Sequence, residues 1–425
     1  MKLRRRTLVL ATAGLIALTG CSASGDAGAD GRIDGEITVL TQRTDLVDTV
    51  FEQYKREFAK VHPEVKVTFQ GITDYEGEVK IRMSSRDYGD VLLIPESITP
   101  EQLPAYFEPL GDAAELQKKY RFIPEQTYEG KAYGLAITGN AFGFVYNKKI
   151  WQQAGITAPP RTPAQFLDAL RAIKDRTGAT PLYTNYRNGW PLAQWEDLRA
   201  SVAGQPDVIT TMAATDAPWT PGTPQEIIDT LLFDAVAGKL TEEDPATTDW
   251  ETSKKAIGEG KIATMMLGSW ALTQVRELAA TPEDLGYLPF PSQAGGRFHS
   301  AIAGDYKNAV SVHSENKDAA RAWVDWFADQ SGYAAGQGGF TPQLGGPEPA
   351  ILSEFTSLGV TYFELDRSQD AVVKKIDKTA EIGLYQPAYR QTLIDAARGA
   401  NGKSKQDVFA DLNRRWAEAK AQVTS

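Results

Sequence analysis

The sequence predicts an α/β protein in two lobes, and three observations carry that prediction. Ile37 to Leu40 is a short apolar run suited to a buried strand. Val47, Val50, Phe51, Tyr54, Phe58 and Val61 follow at helical spacing, and Val65, Val67 and Phe69 then alternate strictly, which makes a β-α-β opening. After Asp90, a second continuous run, Val91 to Ile94, suits a strand of a sheet covered on both faces, as parallel strands in α/β proteins are. Length supplies the third observation: of 425 residues, 405 remain beyond residue 20, more than a single typical core holds, so two lobes or domains are expected.

The elements follow in order. Lys2, Arg4, Arg5 and Arg6 form a basic start, and Thr7 to Leu18 is an uncharged stretch of 12 residues, the length of a secretory core and too short to span a bilayer. Residues 1–20 therefore read as a signal peptide. Leu18-Thr19-Gly20-Cys21 closes it and resembles the lipobox of bacterial lipoproteins, in which the cysteine thiol takes a diacylglyceryl group and becomes the mature amino terminus. Arg5-Arg6-Thr7-Leu8-Val9 resembles a twin-arginine signal as well as an ordinary one, and the export route stays open. Residues 21–35, rich in Ser, Gly, Ala and Asp without apolar periodicity, read as a lipid-anchored flexible tether. Folding is expected from about Glu36. Later helices are predicted at Pro163 to Thr177, with Phe166, Leu167, Leu170 and Ile173 on one side, and at Lys405 to Val423, with Val408, Leu412 and Trp416 spaced four apart. Pro159-Pro160 and Gly336 to Gly346 mark loops, and no internal repeat is present.

Charge and cysteine usage narrow the function. The chain holds 45 Lys and Arg against 55 Asp and Glu, and the leader removes four positive charges, leaving 41 against 55 and a net charge of −14. An acidic chain without a basic stripe argues against nucleic acid, whose phosphates are met by Lys and Arg. Membrane contact is expected through the lipid anchor only. With the sole cysteine committed to lipid, no disulfide forms and stability must come from packing.

Short patterns follow one another in order along the chain. Glu129-Gly130-Lys131-Ala132-Tyr133-Gly134-Leu135 is followed by Phe144-Val145-Tyr146-Asn147-Lys148-Lys149, then Gln153-Ala154-Gly155-Ile156 and Pro159-Pro160-Arg161-Thr162-Pro163. Ile257-Gly258-Glu259-Gly260-Lys261-Ile262-Ala263-Thr264-Met265-Met266 precedes Gly268-Ser269-Trp270. Lys317 to Phe327, with Ala319-Ala320 and Trp323, leads to Gly338-Gly339-Phe340-Thr341-Pro342. Over roughly residues 36 to 345 the chain resembles the extracellular solute-binding proteins of ABC sugar importers, the maltose-binding-protein-like family. Ala136 stands where proline is usual, and Pro163-Ala164-Gln165 where Trp-Asp-Glu is frequent, so the subfamily and its ligand stay open.

The resemblance implies a periplasmic-binding-protein-like clamshell: two α/β lobes joined by hinge segments, with solute in the cleft between them. By this analogy lobe 1 is expected over 36–138 and 270–315, and lobe 2 over 139–269 and 316–425. Hinge passages fall near Thr138-Gly139-Asn140, Gly268-Ser269 and Val312-His313. The implied partners are a small-molecule ligand, a mono- or oligosaccharide, and the ABC permease subunits. A monomer is expected, with no cofactor and no metal.

A sugar offers apolar C–H faces and a fringe of hydroxyls, so its site needs aromatic platforms beside carboxylates, amides or Arg. Tyr183, Asn185, Tyr186, Arg187, Trp190, Trp195 and Glu196 mix the two in a Gly- and Pro-marked stretch; Trp190 and Trp195 are candidate platforms or core anchors, and Asn185 a candidate hydrogen-bonding group. Trp270 resembles the family's ligand-facing tryptophan, and Asp305 with Tyr306 the family's aromatic beside the cleft. Arg43 and Glu96 lie beyond the carboxyl ends of predicted strands, where open α/β sheets bind ligands; they could instead pair with each other. Asn140 at the first passage and Phe340 in the glycine loop complete the candidates. Enzyme alternatives find no support in motifs: no G-x-S-x-G elbow, Walker loop or dinucleotide fingerprint occurs, and His62, His299 and His313 lack zinc spacing. A glycoside-active enzyme, or a receptor for a polyamine or iron complex, are the competing readings.

Overall fold

The computed structural model describes residues 33–424, so Cys21, the leader and most of the expected tether lie outside the described residues. The first sheet is built on the opening strands. β1 (Gly35–Thr41) runs parallel to β2 (Val65–Gly71) over its whole length and to β3 (Val91–Leu93) on its other side. The connection between β1 and β2 winds through Val47–Phe51 into the helix Glu52–Val61, which turns Phe51, Tyr54 and Phe58 inward. Val61, at the end of the predicted apolar stripe, is instead 52% exposed, because the helix stops there and His62 turns the chain toward β2. Three short strands, β4 (Gly111–Asp112), β5 (Thr127–Tyr128) and β6 (Lys131–Ala132), form a small antiparallel sheet of their own.

The chain next adds β7 (Leu135–Ala136) to the edge of the first sheet and passes to β8 (Gly139–Asn147), the central strand of a second sheet. Over different stretches β8 pairs antiparallel with β9 (Thr264–Gly268), β10 (Leu285–Leu288) and β11 (His299–Gly304). The chain then returns to the first sheet as β12 (Lys307–Val310), between β3 and β7, and finally sends β13 (Thr361–Glu364) alongside β11.

Strand alternation in β8 separates two cores. Phe142 and Phe144 face the helices Pro163–Arg176, Pro224–Ala237, Pro387–Ala397 and Lys405–Thr424. Ala141 and Val145 face the helix Trp270–Leu278 on the opposite side. The two predicted helices bury the residues expected of them, including Phe166, Leu170, Ile173, Leu412 and Trp416.

The expected lobe boundaries need two corrections. Residues 270–304 belong with the second sheet: Ala271, Leu272 and Val275 pack against Val145 and Met265, while β10 and β11 are hydrogen-bonded to β8. Residues 317–336 belong with the first, because the helix Lys317–Gln330 lays Trp323, Val324 and Phe327 into the core under β1 and β2, followed by Tyr333.

Among the described residues three passages join the lobes, and they lie side by side. Ile137 donates to Tyr306 O before the chain enters β8 at Gly139, and Asp305 donates to Thr138 O at 2.8 Å as the chain leaves β11 for β12. Gly338 to Phe340 is the third, where Phe340 and Gly139 exchange two backbone bonds of 2.8 Å. A Cβ on Gly339 would sit 2.0 Å from Thr138 Oγ1, so only glycine allows this approach. The passages expected at Gly268-Ser269 and Val312-His313 lie instead inside single lobes. Ser269 bonds to the backbone of Ala141 in both directions, and Val312 donates to Tyr106 O. Among the described residues no helix is long and apolar enough to cross a membrane.

Candidate functional site

The floor of the cleft is the pair of adjacent passages. Asn140 sits opposite Ala303 in the β8–β11 register and is 6% exposed. Its Nδ2 donates to Asp305 Oδ2 at 3.3 Å, while its Oδ1 has no partner. Asp305 Oδ1 accepts from the Tyr306 N–H at 2.8 Å. Burial pushes the Asp305 carboxyl up, against the pull of that N–H, Lys307, Asn140 and Arg43.

The first-lobe wall hangs from strand ends. Arg43, two residues past β1, forks onto Asp45 with bonds of 2.9 and 2.7 Å and also donates to Gln337 Oε1. Asp45 therefore serves as an ion-pair partner and makes no helix cap. The fork lowers the Asp45 carboxyl, and Lys254 of the second lobe lowers it further from across the gap. Tyr306 sets its ring edge-on to Tyr75 at 5.6 Å and donates to Glu76 Oε1 at 2.9 Å. The Glu76 carboxylate in turn holds the backbone N–H of Glu96 at 3.1 Å. The Glu96 side chain makes no pair with Arg43, whose fork is already filled. Desolvation raises the Glu96 carboxyl, and neighbouring Glu76 adds to that rise.

The second-lobe wall is aromatic. Trp270 opens its helix directly after β9 and lies 5.8 Å from Trp190 and 5.5 Å from Trp250, ring centre to ring centre. Trp190 meets Trp250 edge-on at 5.8 Å. A Cβ on Gly268 would come within 2.6 Å of Trp270 Nε1, so the glycine lets the indole fold back over the strand end. Gln194 Oε1 accepts the Gly268 N–H at 3.0 Å and ties this corner to the turn Gln194–Asp197. Trp190 and Trp270 remain half-buried, whereas Trp250 is covered, with the Lys254 ammonium 5.4 Å from its ring.

Asp197 ends that turn. It is half-buried, and its side chain, among the described residues, makes no hydrogen bond or ion pair. Burial pushes its carboxyl up to about 7, opposed by Arg367 and Arg199 and reinforced by Glu196 and by Glu96 of the facing lobe. Behind it lies a buried charge network. Glu196 pairs with Arg199 at 2.9 Å and with Arg390 at 2.7 Å, and Arg390 reaches Asp229 at 3.2 Å. Asp229 also accepts from Trp219 Nε1 at 2.9 Å and from the Tyr389 hydroxyl.

The structure brings Arg43, Glu96, Asn140, Trp190, Trp270, Asp305 and Tyr306 to the two walls and the floor. Three candidates are corrected. Trp195 is 1% exposed, edge-on to Phe144 at 5.8 Å, and is a core anchor. Asn185, buried with φ of 56°, turns its amide toward Met265 Sδ at 3.7 Å. Phe340 packs edge-on to Tyr362 at 5.1 Å, beneath the third passage. Glu196, also part of the aromatic and polar cluster, faces the charge network instead. Trp250, Glu76 and Asp197 were missed. Asp197 directly follows the Trp195-Glu196 pair, and Asp249-Trp250 reads as a capped helix start; those were the available signals.

The sequence model of the family described as bacterial extracellular solute-binding protein matches residues 43–334. Among solved structures, the fold is similar to a binding protein of an ABC transporter from Bifidobacterium animalis subsp. lactis in complex with mannobiose, with 31% identity, TM-score 0.84, and 92% of this chain and 95% of that one covered. A manno-oligosaccharide specific solute-binding protein of the same organism, in complex with mannotriose, matches at 29% identity and TM-score 0.84, with 92% and 95% covered. Among curated proteins, the diacetylchitobiose binding protein of Streptomyces coelicolor is 23% identical over 73% of this chain and 74% of its own.

Proposed function

We propose that this chain, which belongs to the family of bacterial extracellular solute-binding proteins, is the receptor of an ABC importer that captures a carbohydrate between its lobes and delivers it to the permease. The observation that carries this reading is the pairing of walls: half-buried indoles of Trp190 and Trp270 on one lobe, and hydrogen-bonding groups of Arg43, Glu96 and Tyr306 on the other. An indole covers the C–H face of a pyranose, while carboxylates and amides take its hydroxyls as donors. The likeness to two manno-oligosaccharide-binding proteins favours mannose-type disaccharides and trisaccharides. On this reading Cys21 anchors the receptor to the outer face of the membrane. The lobes close over the ligand about the three passages, and the protein works as a monomer without covalent chemistry.

Calorimetric titration of the purified protein with a panel of neutral oligosaccharides, spermidine and ferric citrate tests the reading. A micromolar sugar corresponds to about −8 kcal/mol, and sugar at about a thousand times Kd should stabilise the fold by about 4 kcal/mol. Binding of spermidine or ferric citrate with no response to any sugar refutes it, and so does turnover of a glycan.

A further inference from the structure

The free polar groups at the floor of the cleft, and the Asp197 and Glu96 carboxyls of its walls, are acceptors. Asn140 Oδ1 is buried and lacks a donor, and it belongs to the same amide whose Nδ2 is spent on Asp305. Asp305 receives one backbone N–H and that amide, which leaves acceptor capacity on its carboxylate. Among the described residues the Asp197 side chain makes no hydrogen bond or ion pair, and the Glu96 side chain makes none either.

Apart from Lys374, the cations nearby are already committed. Arg43 forks onto Asp45. Lys307 pairs with Glu125 at 2.5 Å and donates to Gly304 O, and Arg367 reaches Glu125 and Asp370. Arg199 is held by Glu196 and the Tyr385 hydroxyl. Lys374 is solvent-exposed on its helix, and Lys254 pairs with Glu251 over the Trp250 ring. A ligand carboxylate would thus meet acceptors on the floor and find the counter-ions there occupied, with Lys374 the one exposed ammonium near Glu96 that has no partner among the described residues.

We infer that the cleft selects uncharged sugars and rejects their acidic counterparts, with Asp305 and the unpartnered Asn140 oxygen setting that charge selectivity at the floor. The inference rests on the carbohydrate reading above and names its substrate class. Specificity arises here by repulsion as much as by attraction: a hydroxyl supplies the donor that Asn140 Oδ1 and Asp305 lack, whereas a carboxylate adds a like charge where water is scarce.

The test uses two ligands of one skeleton, β-1,4-mannobiose and the β-1,4-linked disaccharide of mannuronic acid, in which each C6 hydroxymethyl is a carboxylate. At pH 8 and low salt, mannobiose should bind at least about tenfold more tightly, a gap of about 1.4 kcal/mol or more. Asp305→Asn should narrow the gap by weakening mannobiose and tolerating the uronate. Equal or tighter uronate binding by the unaltered protein overturns the charge selectivity and leaves the carbohydrate reading standing; a gap unchanged in a folded Asp305→Asn protein removes Asp305 as its source. Failure of both disaccharides to bind overturns the inference together with the mannose-type reading on which this choice of ligands depends. The comparison on the unaltered protein decides the matter even where the variant does not fold.

Discussion

The two lobes face each other across one cleft but hold their walls in place by different means. In the first lobe, the wall residues follow the ends of strands that are themselves fixed by parallel pairing, and the core behind them is a stack of rings: Phe51, Tyr54, Phe58, Trp323 and Phe327. In the second, Trp270 follows the end of β9, but the rest of the wall with Trp190, Gln194 and Asp197 comes from residues 183–197, where the regular pieces are only single turns. Such turns have little stability of their own. Among the described residues, every fully buried charge lies in this lobe: Glu196, Arg199, Asp229, Glu242 and Arg390. Irregular backbone that must present Trp190, Gln194 and Asp197 is pinned from behind by directional ionic contacts, whereas strand ends need none.

Removing one partner from that network is the strongest way to break the contrast. Arg390→Met leaves Asp229 a buried charge without a cationic partner and leaves Glu196 with Arg199 alone, and should cost about 3–5 kcal/mol. Arg43→Met opens a pair whose Asp45 side chain is 60% exposed and should cost at most about 1 kcal/mol. Urea unfolding of the two variants measures both, and equal losses would erase the distinction between the walls.

Trp270→Ala addresses function where Arg390→Met addresses stability. Loss of the half-buried indole should weaken sugar affinity by about 2 kcal/mol, roughly thirtyfold, with a minor change in melting temperature. Trp195→Ala, in the packed core five residues from Trp190, should do the reverse and destabilise by about 3–5 kcal/mol. Calorimetry paired with thermal melting separates them, and unchanged sugar affinity in Trp270→Ala would take that residue out of the site.

The smallest expected effect is on pH dependence. The folded Asp197 carboxyl stands at about 7, above its ordinary 3.8, so the folded protein holds that proton more tightly than the unfolded chain does. Its contribution to stability therefore declines as pH rises from about 4 to about 7, and Asp197→Asn removes the decline. With solvent screening, the ligand-free variant should gain about 1 kcal/mol over the parent at pH 8 and nothing at pH 4. Melting curves at both pH values check this, and an equal gain at both would show that the carboxyl does not titrate in that window.

Much of the first lobe was legible because its signals are local. The β-α-β opening, the run Val91 to Ile94 and the placement of Arg43 past a strand end all follow from spacing that a short window contains. The helical stripes of 163–177 and 405–423 were legible for the same reason. Turn residues were harder. Trp190 and Trp195, or Glu196 and Asp197, carry the same chemistry in sequence, but residues on a tight turn point in different directions, about 120° apart for successive residues of a 3-10 turn, so one enters the core and the other the cleft. No local signal decides which. The lobe boundaries failed for a related reason: which sheet residues 285–304 and 317–330 join depends on pairing with β8 or packing under β1, contacts more than a hundred residues away in the chain.

The amino-acid sequence by itself determined the class of fold, the kinds of side chain available for a cleft and the acidic balance of the chain, because periodicity and composition are local or additive properties. Tertiary structure alone decided which tryptophans stay half-open, which carboxylates are spent on ion pairs and which keep free lone pairs. Those outcomes depend on burial and on partners brought together by three adjacent crossings of the chain, where Asn140, Asp305 and Gly339 come from distant parts of the sequence.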